Sequence, residues 1–222
     1  MTGNPIRPQL LAGDRAKGRA WFGPDAGLPL LMVCGGAQGA QQINALIAAI
    51  LPQLLPHAQV IHQAGPGNIT AMREAAAGLP PELAARYRPV AYLGDELPDV
   101  LAAADVVVAR AGAGTVAELT AIGAAMVLIP LVPTGGDEQR RTAAHLAAQH
   151  AAVMLDGPQA TAYRLRDTVL HLLTDTQART ELAGNAHRHG HPHAADQVVD
   201  ELLATGHHRP DTASPGDPDT RR

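Results

Sequence analysis

The 222-residue sequence is poor in cysteine and in aromatic residues. Its single cysteine, Cys34, excludes a disulfide within the chain and is typical of a protein from the reducing cytoplasm. Only 2% of the residues are aromatic although 46% are hydrophobic, and alanine supplies much of that apolar content. Because β-sandwiches are normally richer in Tyr, Trp and Phe, the composition favours a helix-rich α/β protein.

Long apolar runs and a strong net charge are also missing. No uninterrupted apolar stretch approaches the ~20 residues of a membrane helix, and the first seven residues contain no apolar signal core. The formal net charge is −4, so no overall positive field would attract nucleic acid. We therefore expect a cytoplasmic protein that has no nucleic acid partner.

Short apolar runs alternate with longer stretches of helical period between residues 28 and 155. The runs are unbroken, which is typical of parallel strands buried on both faces. We predict an α/β fold, a doubly wound, Rossmann-like parallel sheet of about six strands with extra C-terminal helices. The predicted strands are 28–34, 59–62, 90–93, 105–109, 126–130 and 152–155, and the predicted helices are 40–55, 69–86, 96–103, 115–123, 138–150, 160–174, 176–187 and 194–205.

Composition divides the chain into three parts. Residues 1–27 are a lead-in segment rich in Pro, Gly and charge, and residues 28–205 form the α/β domain with its C-terminal helices. Residues 206–222 have almost nothing to bury and are predicted to be a disordered tail. An apolar face on the last predicted helix could pack on the domain or on a partner, and consists of Val198, Val199, Leu202 and Leu203.

Ligands of an open parallel sheet bind outside the carboxyl ends of its strands. The first loop at that edge, residues 35–40, reads Gly-Gly-Ala-Gln-Gly-Ala and leads directly into a helix. Glycines let a backbone approach a phosphate closely, and free N–H groups at a helix start attract its charge. A tight strand-to-helix turn without a ligand would use similar residues, so both interpretations stay open for this glycine loop.

Two further loops carry polar groups at the same edge. Residues 110–115 are followed by Glu118, which could stabilise the helix dipole or accept both hydroxyls of a ribose. Thr115 could cap the helix or bind a phosphate. Residues 131–139 could bind sugar hydroxyls, or Asp137 could simply cap the next helix.

These motifs resemble the C-terminal donor-binding domain of the MurG-type transferases of glycosyltransferase family 28. The resemblance covers roughly residues 2–155 and rests on residues 2–7, 35–40, 60–63 and 110–118, in the same order as in the family. It implies the Rossmann-like C-terminal half of a GT-B fold. It also implies transfer of N-acetylglucosamine from UDP to a lipid-linked acceptor in peptidoglycan, or cell-wall, synthesis.

The resemblance implies a UDP-sugar donor site that uses no cofactor and no metal. Arg7 and the glycine loop would face the diphosphate, the turn at Gly94 would offer backbone groups to uracil, and Glu118 would bind the ribose. Gln139 matches a glutamine that contacts the transferred sugar, and Arg140 stands beside it. The remaining residues implied in donor binding are Gly35, Gly36, Ala37, Gln38, Gly39, Arg110, Gly112, Ala113, Gly114 and Thr115.

Three features differ from the family pattern and concern the sugar and the phosphates. Ala37 replaces a serine, Arg140 replaces a second glutamine, and the loop before Asp137 is about two residues longer. The segment that resembles the family's inter-domain connection, residues 2–7, follows Met1 directly. We therefore expect the acceptor, and with it the unidentified catalytic residues, to be held by a separate N-terminal-type subunit at the inner face of the plasma membrane.

Two other functions remain possible: a non-catalytic UDP- or UDP-sugar-binding module, and a sugar-nucleotide 2-epimerase, which would need acidic catalytic residues that are not evident here. Alternating histidines at 187, 189, 191 and 193 suggest a metal site, but the stretch reads better as a solvated linker. His62 ends a buried strand, where a packed, hydrogen-bonded role is more plausible than catalysis.

Overall fold

Six strands alternate with helices in the computed structural model, which describes residues 2–22, 27–131 and 137–206. The strands are β1 (Leu30–Cys34), β2 (Gln59–Gln63), β3 (Tyr87–Val90), β4 (Val106–Ala109), β5 (Met126–Leu128) and β6 (Val153–Met154). Neighbouring strands pair in parallel, in the order β3-β2-β1-β4-β5-β6. This confirms the predicted doubly wound parallel sheet.

Helices connect the strands and cover both faces of the sheet. They are α1 (Arg15–Arg19), α2 (Gln41–Leu54), α3 (Ile69–Ala77), α4 (Pro81–Ala84), α5 (Leu97–Ala103), α6 (Ala113–Ala121), α7 (Glu138–Ala148), α8 (Ala162–Thr174), α9 (Thr176–Arg188) and α10 (Ala194–Gly206). Single 3-10 turns occur at Pro8–Ala12, Ala20–Phe22 and Gly157–Gln159. The helices predicted beyond the sheet are therefore present as α8, α9 and α10.

The core lies on both faces of the sheet because successive residues of a strand point to opposite sides. Leu31 and Val33 of β1 belong to an apolar cluster with α2 and α8. Leu30 and Met32 belong to a second cluster with α5 and α6. All four side chains are fully buried, which explains why the apolar run of this strand is unbroken.

The prediction was wrong between residues 69 and 93. The single helix predicted there is two helices, α3 and α4, because Gly78 ends α3 and two prolines follow at residues 80 and 81. The third strand lies at Tyr87–Val90 rather than at 90–93. Pro89 argued against a strand at this position, because proline has no backbone N–H to donate. β3 is an edge strand, where that missing N–H is tolerated.

The lead-in segment packs onto the domain over its described residues, 2–22. Asp14 caps α1 by accepting a hydrogen bond from the backbone N–H of Ala16 at 2.8 Å. α1 lies so close to α5 that a Cβ added to Gly18 would be 2.1 Å from the carbonyl oxygen of Asp99. Leu10, in the preceding 3-10 turn, is buried in the core. Residues 2–22 therefore contribute to the same core as the sheet.

Asp105, immediately before β4, joins the lead-in segment to the sheet. Its carboxylate accepts hydrogen bonds from Arg15 Nη2 at 2.9 Å, from Arg19 Nη2, and from the Leu30 backbone N–H at 2.7 Å. Burial acts to raise the pKa of this carboxyl, but the Leu30 N–H and the two guanidinium groups outweigh burial and hold the pKa below its usual range. The ionised carboxylate therefore fixes α1 against the amino-terminal edge of the sheet.

The C-terminal helices differ in how far they are buried. Val199, Leu202 and Leu203 of α10 are each more than half exposed, so the predicted apolar face faces outward in this chain. His187 lies in the last turn of α9 rather than in a linker. Apart from Gly206, the predicted tail of residues 206–222 lies outside the described residues.

Neither a membrane span nor a metal cluster occurs in the described part of the chain. No helix there is long and apolar enough to cross a bilayer. No group of three or more His, Cys, Asp or Glu residues there could hold a metal ion.

Candidate functional site

The strand order reverses between β1 and β4, which makes the carboxyl edge of these two strands the switch point of the sheet. The glycine loop, residues 35–40, follows β1 and leads into α2. Residues 110–112 follow β4 and lead into α6. Both loops are predicted parts of the donor site, and the topology brings them together at one crevice.

The glycine loop adopts a backbone conformation that favours glycine. Gly36 has φ +87° and Gly39 has φ +74°, both in the left-handed region. A Cβ added to residue 39 would lie 1.8 Å from the carbonyl oxygen of Ala64. The loop is therefore pressed against the segment that follows β2, and no side chain fits between them.

α2 and α6 both begin beside the crevice without a side-chain cap. Their N-cap residues are Ala40 and Gly112, and neither helix has an acidic residue in its first turn. Thr115, a candidate cap in the sequence, is instead the third residue of α6. Because the first N–H groups of a helix lack intrahelical partners and carry partial positive charge, both helix starts can attract an anion.

Arg110 places a buried cation at the same crevice. It is 9% exposed, and its Nη1 donates to Gln42 Oε1 at 2.9 Å and to the carbonyl oxygens of Ile129 and Pro130 at 3.0 and 3.1 Å. None of these acceptors is charged, and within the described residues no carboxylate forms an ion pair with Arg110. Burial lowers the pKa of the guanidinium because it removes water from around the charge.

Arg7 and Glu118 form an ion pair across the opening of the crevice. Both Nε and Nη2 of Arg7 donate to Glu118 Oε1, each at 3.0 Å. The two residues are 111 positions apart in the sequence. Glu118 lies in the second turn of α6 and has Arg7 as its cationic partner. Its role is therefore not confined to the helix dipole.

Two adjoining cavities occupy the crevice. The smaller has a volume of about 190 Å³, and the predicted residues that line it are Arg7, Gly36, Ala37, Thr115 and Glu118. The larger has a volume of about 720 Å³, and the predicted residues that line it are Gly35, Gly36, Gly39, Arg110, Gly112, Thr115 and Gln139. Ten of the fifteen predicted residues thus line these two cavities, which share Gly36 and Thr115.

The other five predicted residues line neither cavity: Gln38, Gly94, Ala113, Gly114 and Arg140. Arg140 donates from Nε to Asp156 at 2.6 Å and from Nη1 to Asp137 at 3.3 Å. Asp137 occupies the N-cap position of α7, but its side chain makes no capping hydrogen bond. The two aspartates therefore hold the Arg140 guanidinium.

The turn predicted to face uracil is residues 93–95. Its first two residues have engaged backbone donors, and residues 92–94 are called the 92–94 turn below. The N–H of Leu93 donates to Gln63 Oε1 at 2.9 Å, and the N–H of Gly94 donates to Glu96 Oε2 at 3.1 Å. Tyr92 is 57% exposed and lines the smaller cavity with Leu93. A base at this turn would therefore meet the Tyr92 side chain, whereas the N–H groups of Leu93 and Gly94 already have acceptors.

Sequence reasoning missed two glutamines that support the site. Gln42 holds Arg110, and Gln63 contacts both the glycine loop and the 92–94 turn. Gln63 belongs to a motif that carried the family resemblance, and Gln42 lies in the first turn of a helix that follows a glycine loop. These positions could have marked both glutamines as candidate site residues. Their hydrogen-bond partners could not be predicted, because those partners come from other parts of the chain.

His62 has the packed, hydrogen-bonded role expected for it. Its Nδ1 lies 2.8 Å from the Tyr87 hydroxyl and its Nε2 lies 3.0 Å from Asn44 Oδ1. Because Asn44 Nδ2 donates to the Ala64 carbonyl, Asn44 Oδ1 accepts from Nε2, and the tyrosine hydroxyl donates to Nδ1. Burial lowers the pKa of His62 to about 4, so the imidazole is neutral and holds the segment behind the glycine loop.

Cys34 lines the smaller cavity but is not a nucleophile at neutral pH. Burial, and secondarily the Glu118 carboxylate, raise the pKa of its thiol to about 12. A thiol that stays protonated is a weak nucleophile. Its contribution to the cavity wall is therefore apolar.

A family comparison agrees with this arrangement. Residues 30–198 match the model of the glycosyltransferase family 28 C-terminal domain. The chain belongs to this family. The resemblance inferred from four short motifs is thereby confirmed, and the family 28 match includes the glycine loop, both cavity-lining helix starts and Gln139.

Relatives of this family 28 chain are longer. A curated relative from Paenarthrobacter aurescens, the UDP-N-acetylglucosamine–N-acetylmuramyl-(pentapeptide) pyrophosphoryl-undecaprenol N-acetylglucosamine transferase, is 40% identical over 206 residues, covering 90% of this chain and 54% of the relative. The crystal structure of Acinetobacter baumannii MurG has a TM-score of 0.72 at 28% identity, covering 82% of this chain and 53% of that one. This chain spans about half the length of the curated relatives it matches.

Other solved structures share the fold at lower identity. The UDP-GlcNAc 2-epimerase from Neisseria meningitidis, bound to UDP-GlcNAc, has a TM-score of 0.56 at 10% identity, covering 83% of this chain and 46% of that one. At this identity the likeness concerns the fold alone. It gives the epimerase alternative no support beyond the architecture already noted.

Proposed function

We propose that this chain is the donor-binding half of a UDP-sugar glycosyltransferase. The transferred group would be a hexose, with N-acetylglucosamine as the first candidate because the family 28 relatives carry that sugar in their names. The donor diphosphate would lie over the glycine loop, between the starts of α2 and α6. The acceptor, lipid-linked or other, would be held by a separate N-terminal-type subunit.

One observation carries this proposal: positive groups converge on the crevice of a chain whose net charge is −4. Arg110 is buried without an acidic partner among the described residues, and two uncapped helix starts flank the glycine loop. Arg7 adds a second guanidinium at the opening. A diphosphate would supply the missing negative charge through charge-assisted hydrogen bonds, and no metal ion is required for this.

Arg7 and Glu118 would divide the nucleotide between them. Without a ligand they pair with each other. With UDP bound, Arg7 would turn to the diphosphate, and the Glu118 carboxylate would accept the two ribose hydroxyls. On UDP binding, the Arg7–Glu118 ion pair would thereby be replaced by one contact to the diphosphate and one to the ribose.

The lining of the crevice also indicates what the partner must supply. Among the described residues that line the two cavities, Glu118 is the only carboxylate and no histidine is present. A general base for the acceptor hydroxyl would therefore come from the partner subunit. We propose that this partner also brings the cytoplasmic chain to the inner face of the plasma membrane.

The same lining favours a second candidate, a non-catalytic module that binds UDP or a UDP-sugar. Both candidates predict thermal stabilisation by UDP, UDP-N-acetylglucosamine or UDP-glucose, of about 2.7 kcal/mol at a hundredfold excess over Kd. Arg110→Met should abolish UDP binding, whereas Arg166→Met, which removes a half-buried arginine from α8 that lines neither cavity, should not. Absence of binding by all three ligands would overturn both candidates.

Transfer assays separate the two candidates. The chain alone should show no transfer, and the chain with an N-terminal-type subunit should transfer the sugar to a lipid acceptor. Binding without transfer in any such pair would favour the non-catalytic module.

A further inference from the structure

Gln63, the last residue of β2, connects two loops at the carboxyl edge of the sheet. Its Nε2 donates to the Gly36 carbonyl oxygen at 3.1 Å, and its Oε1 accepts the backbone N–H of Leu93 at 2.9 Å. The residue is 5% exposed. Each end of its carboxamide is therefore used, one on the glycine loop and the other on the 92–94 turn.

The position of Gln63 in the sheet explains why it can make both contacts. β2 lies between β1 and β3, and Gln63 is in register with Cys34 on one side and Val90 on the other. Gly36 and Leu93 come shortly after those two residues. Because a carboxamide holds its donor and acceptor in one rigid plane, this side chain fixes the spacing of the two loops.

Few other side chains bond to either loop. Among the hydrogen bonds of the described residues, Gln63 is the one side chain that bonds to both the glycine loop and the 92–94 turn. It also lines the smaller cavity, together with Ala37, Tyr92 and Glu118. A ligand in that cavity would therefore lie directly against this connection.

We propose that Gln63 is a positioning residue which holds the glycine loop and the 92–94 turn at the separation a nucleoside diphosphate needs. The inference rests on the proposed function, in which the diphosphate meets one loop and the base meets the other. A ligand that two pre-aligned loops hold at once gains affinity from the simultaneous contacts. Loops that must be realigned on binding lose that gain.

The test compares a whole nucleotide with its fragments. Gln63→Leu removes both hydrogen bonds, and Gln59→Leu is the matched control, because Gln59 is 4% exposed at the opposite end of the same strand. We expect Gln63→Leu to weaken UDP binding about tenfold, equivalent to about 1.4 kcal/mol. Uridine and pyrophosphate, measured separately by NMR titration, should change less than twofold. Equal losses for all three ligands would show a general structural role and overturn the proposal.

A second variant makes the test independent of folding defects. In Gln63→Glu, the protonated carboxyl can still donate to the Gly36 carbonyl and accept from Leu93, whereas the ionised carboxylate faces that carbonyl with a second acceptor. The ratio of wild-type to variant UDP affinity should therefore be near one at acidic pH and rise as the pH increases. A ratio that does not change with pH would contradict the proposal.

Hydrogen exchange in the ligand-free protein separates this inference from the proposed function. The N–H groups of Gly39 and Leu97 close the two loops by bonding to Gly36 and Gly94. Gln63→Leu should accelerate exchange at both amides, and Gln59→Leu at neither. If Gln63→Leu accelerates hydrogen exchange at these amides but the wild-type protein binds no UDP, the positioning role stands and the proposed function fails. If the wild-type protein binds UDP but Gln63→Leu changes neither the exchange rates nor the UDP affinity, the positioning role fails and the proposed function stands.

Discussion

Replacing Arg7 with glutamine should strengthen the binding of uridine and weaken the binding of UDP. In the ligand-free protein, Glu118 accepts two hydrogen bonds from Arg7. A ribose that binds to Glu118 must displace them, so removal of the guanidinium removes a competitor for uridine. UDP carries a diphosphate that would bind the released guanidinium, so for UDP the same substitution removes a ligand contact.

The sizes of the two effects follow from the exposure of the pair. The side chains of Arg7 and Glu118 are 48% and 20% exposed, and exposed ion pairs contribute about 0.2–1 kcal/mol. Loss of the pair should therefore raise uridine affinity by up to about fivefold. A hydrogen bond to a charged group contributes about 1.5–3 kcal/mol, so the net loss for UDP is roughly tenfold.

Isothermal titration of uridine and UDP into wild type and Arg7→Gln measures both effects. Arg166→Gln is the matched control, because Arg166 forms an exposed pair with Asp167 on α8 and should leave both affinities unchanged. Adding Glu118→Gln to Arg7→Gln should abolish the gain for uridine. Equal weakening of the two ligands by Arg7→Gln would refute the exchange of contacts described here.

Three further predictions concern the surroundings of the crevice. Gly39→Ala should lower both thermal stability and UDP affinity, because residue 39 has φ +74° and its new Cβ would meet the Ala64 carbonyl oxygen; normal UDP binding by this variant would contradict the loop geometry. The free energy of unfolding should fall by up to about 3 kcal/mol between pH 6.5 and 4, since the unfolded chain protonates His62 near pH 6.5 and the folded one only near pH 4. His62→Gln should reduce that slope in denaturant titrations, and an unchanged slope would argue against a buried neutral imidazole. Arg140→Gln should change UDP affinity less than twofold in calorimetry, because Asp156 and Asp137 hold its guanidinium; a tenfold change would show that Arg140 reaches the ligand.

The sheet could be predicted because its strands follow a simple rule. A strand buried on both faces is an unbroken apolar run, and residues 30–33 show one directly. β3 does not follow that rule, since its Arg88 is exposed and Pro89 lies at an edge. Gly78 and the two prolines after it mark the end of α3 in the sequence, but no apolar run marks the start of β3 at Tyr87.

The candidate site was predictable in its backbone and less so in its contacts. The glycine loop and Arg110 were identified because carboxyl ends of parallel strands meet at one edge. The Arg7–Glu118 pair and the two hydrogen bonds of Gln63 join segments far apart in the chain, so no local pattern contains them. Asp137 is a case in which a local pattern misleads. It is a favourable capping residue, but its carboxylate accepts a hydrogen bond from Arg140 and does not cap α7.

The attachment of the lead-in segment through Asp105 has a consequence for shortened forms of this chain. The family match starts at residue 30, yet Arg15 and Arg19, which neutralise Asp105, precede it. A chain shortened to the match would lose both guanidinium groups and also the buried Leu10, which belongs to the same core as the sheet, so we expect it to be less stable than a chain that keeps residues 2–22. We therefore expect the shortest stable form of the domain to begin before Asp14, the residue that caps α1, and not at the first residue of the family match.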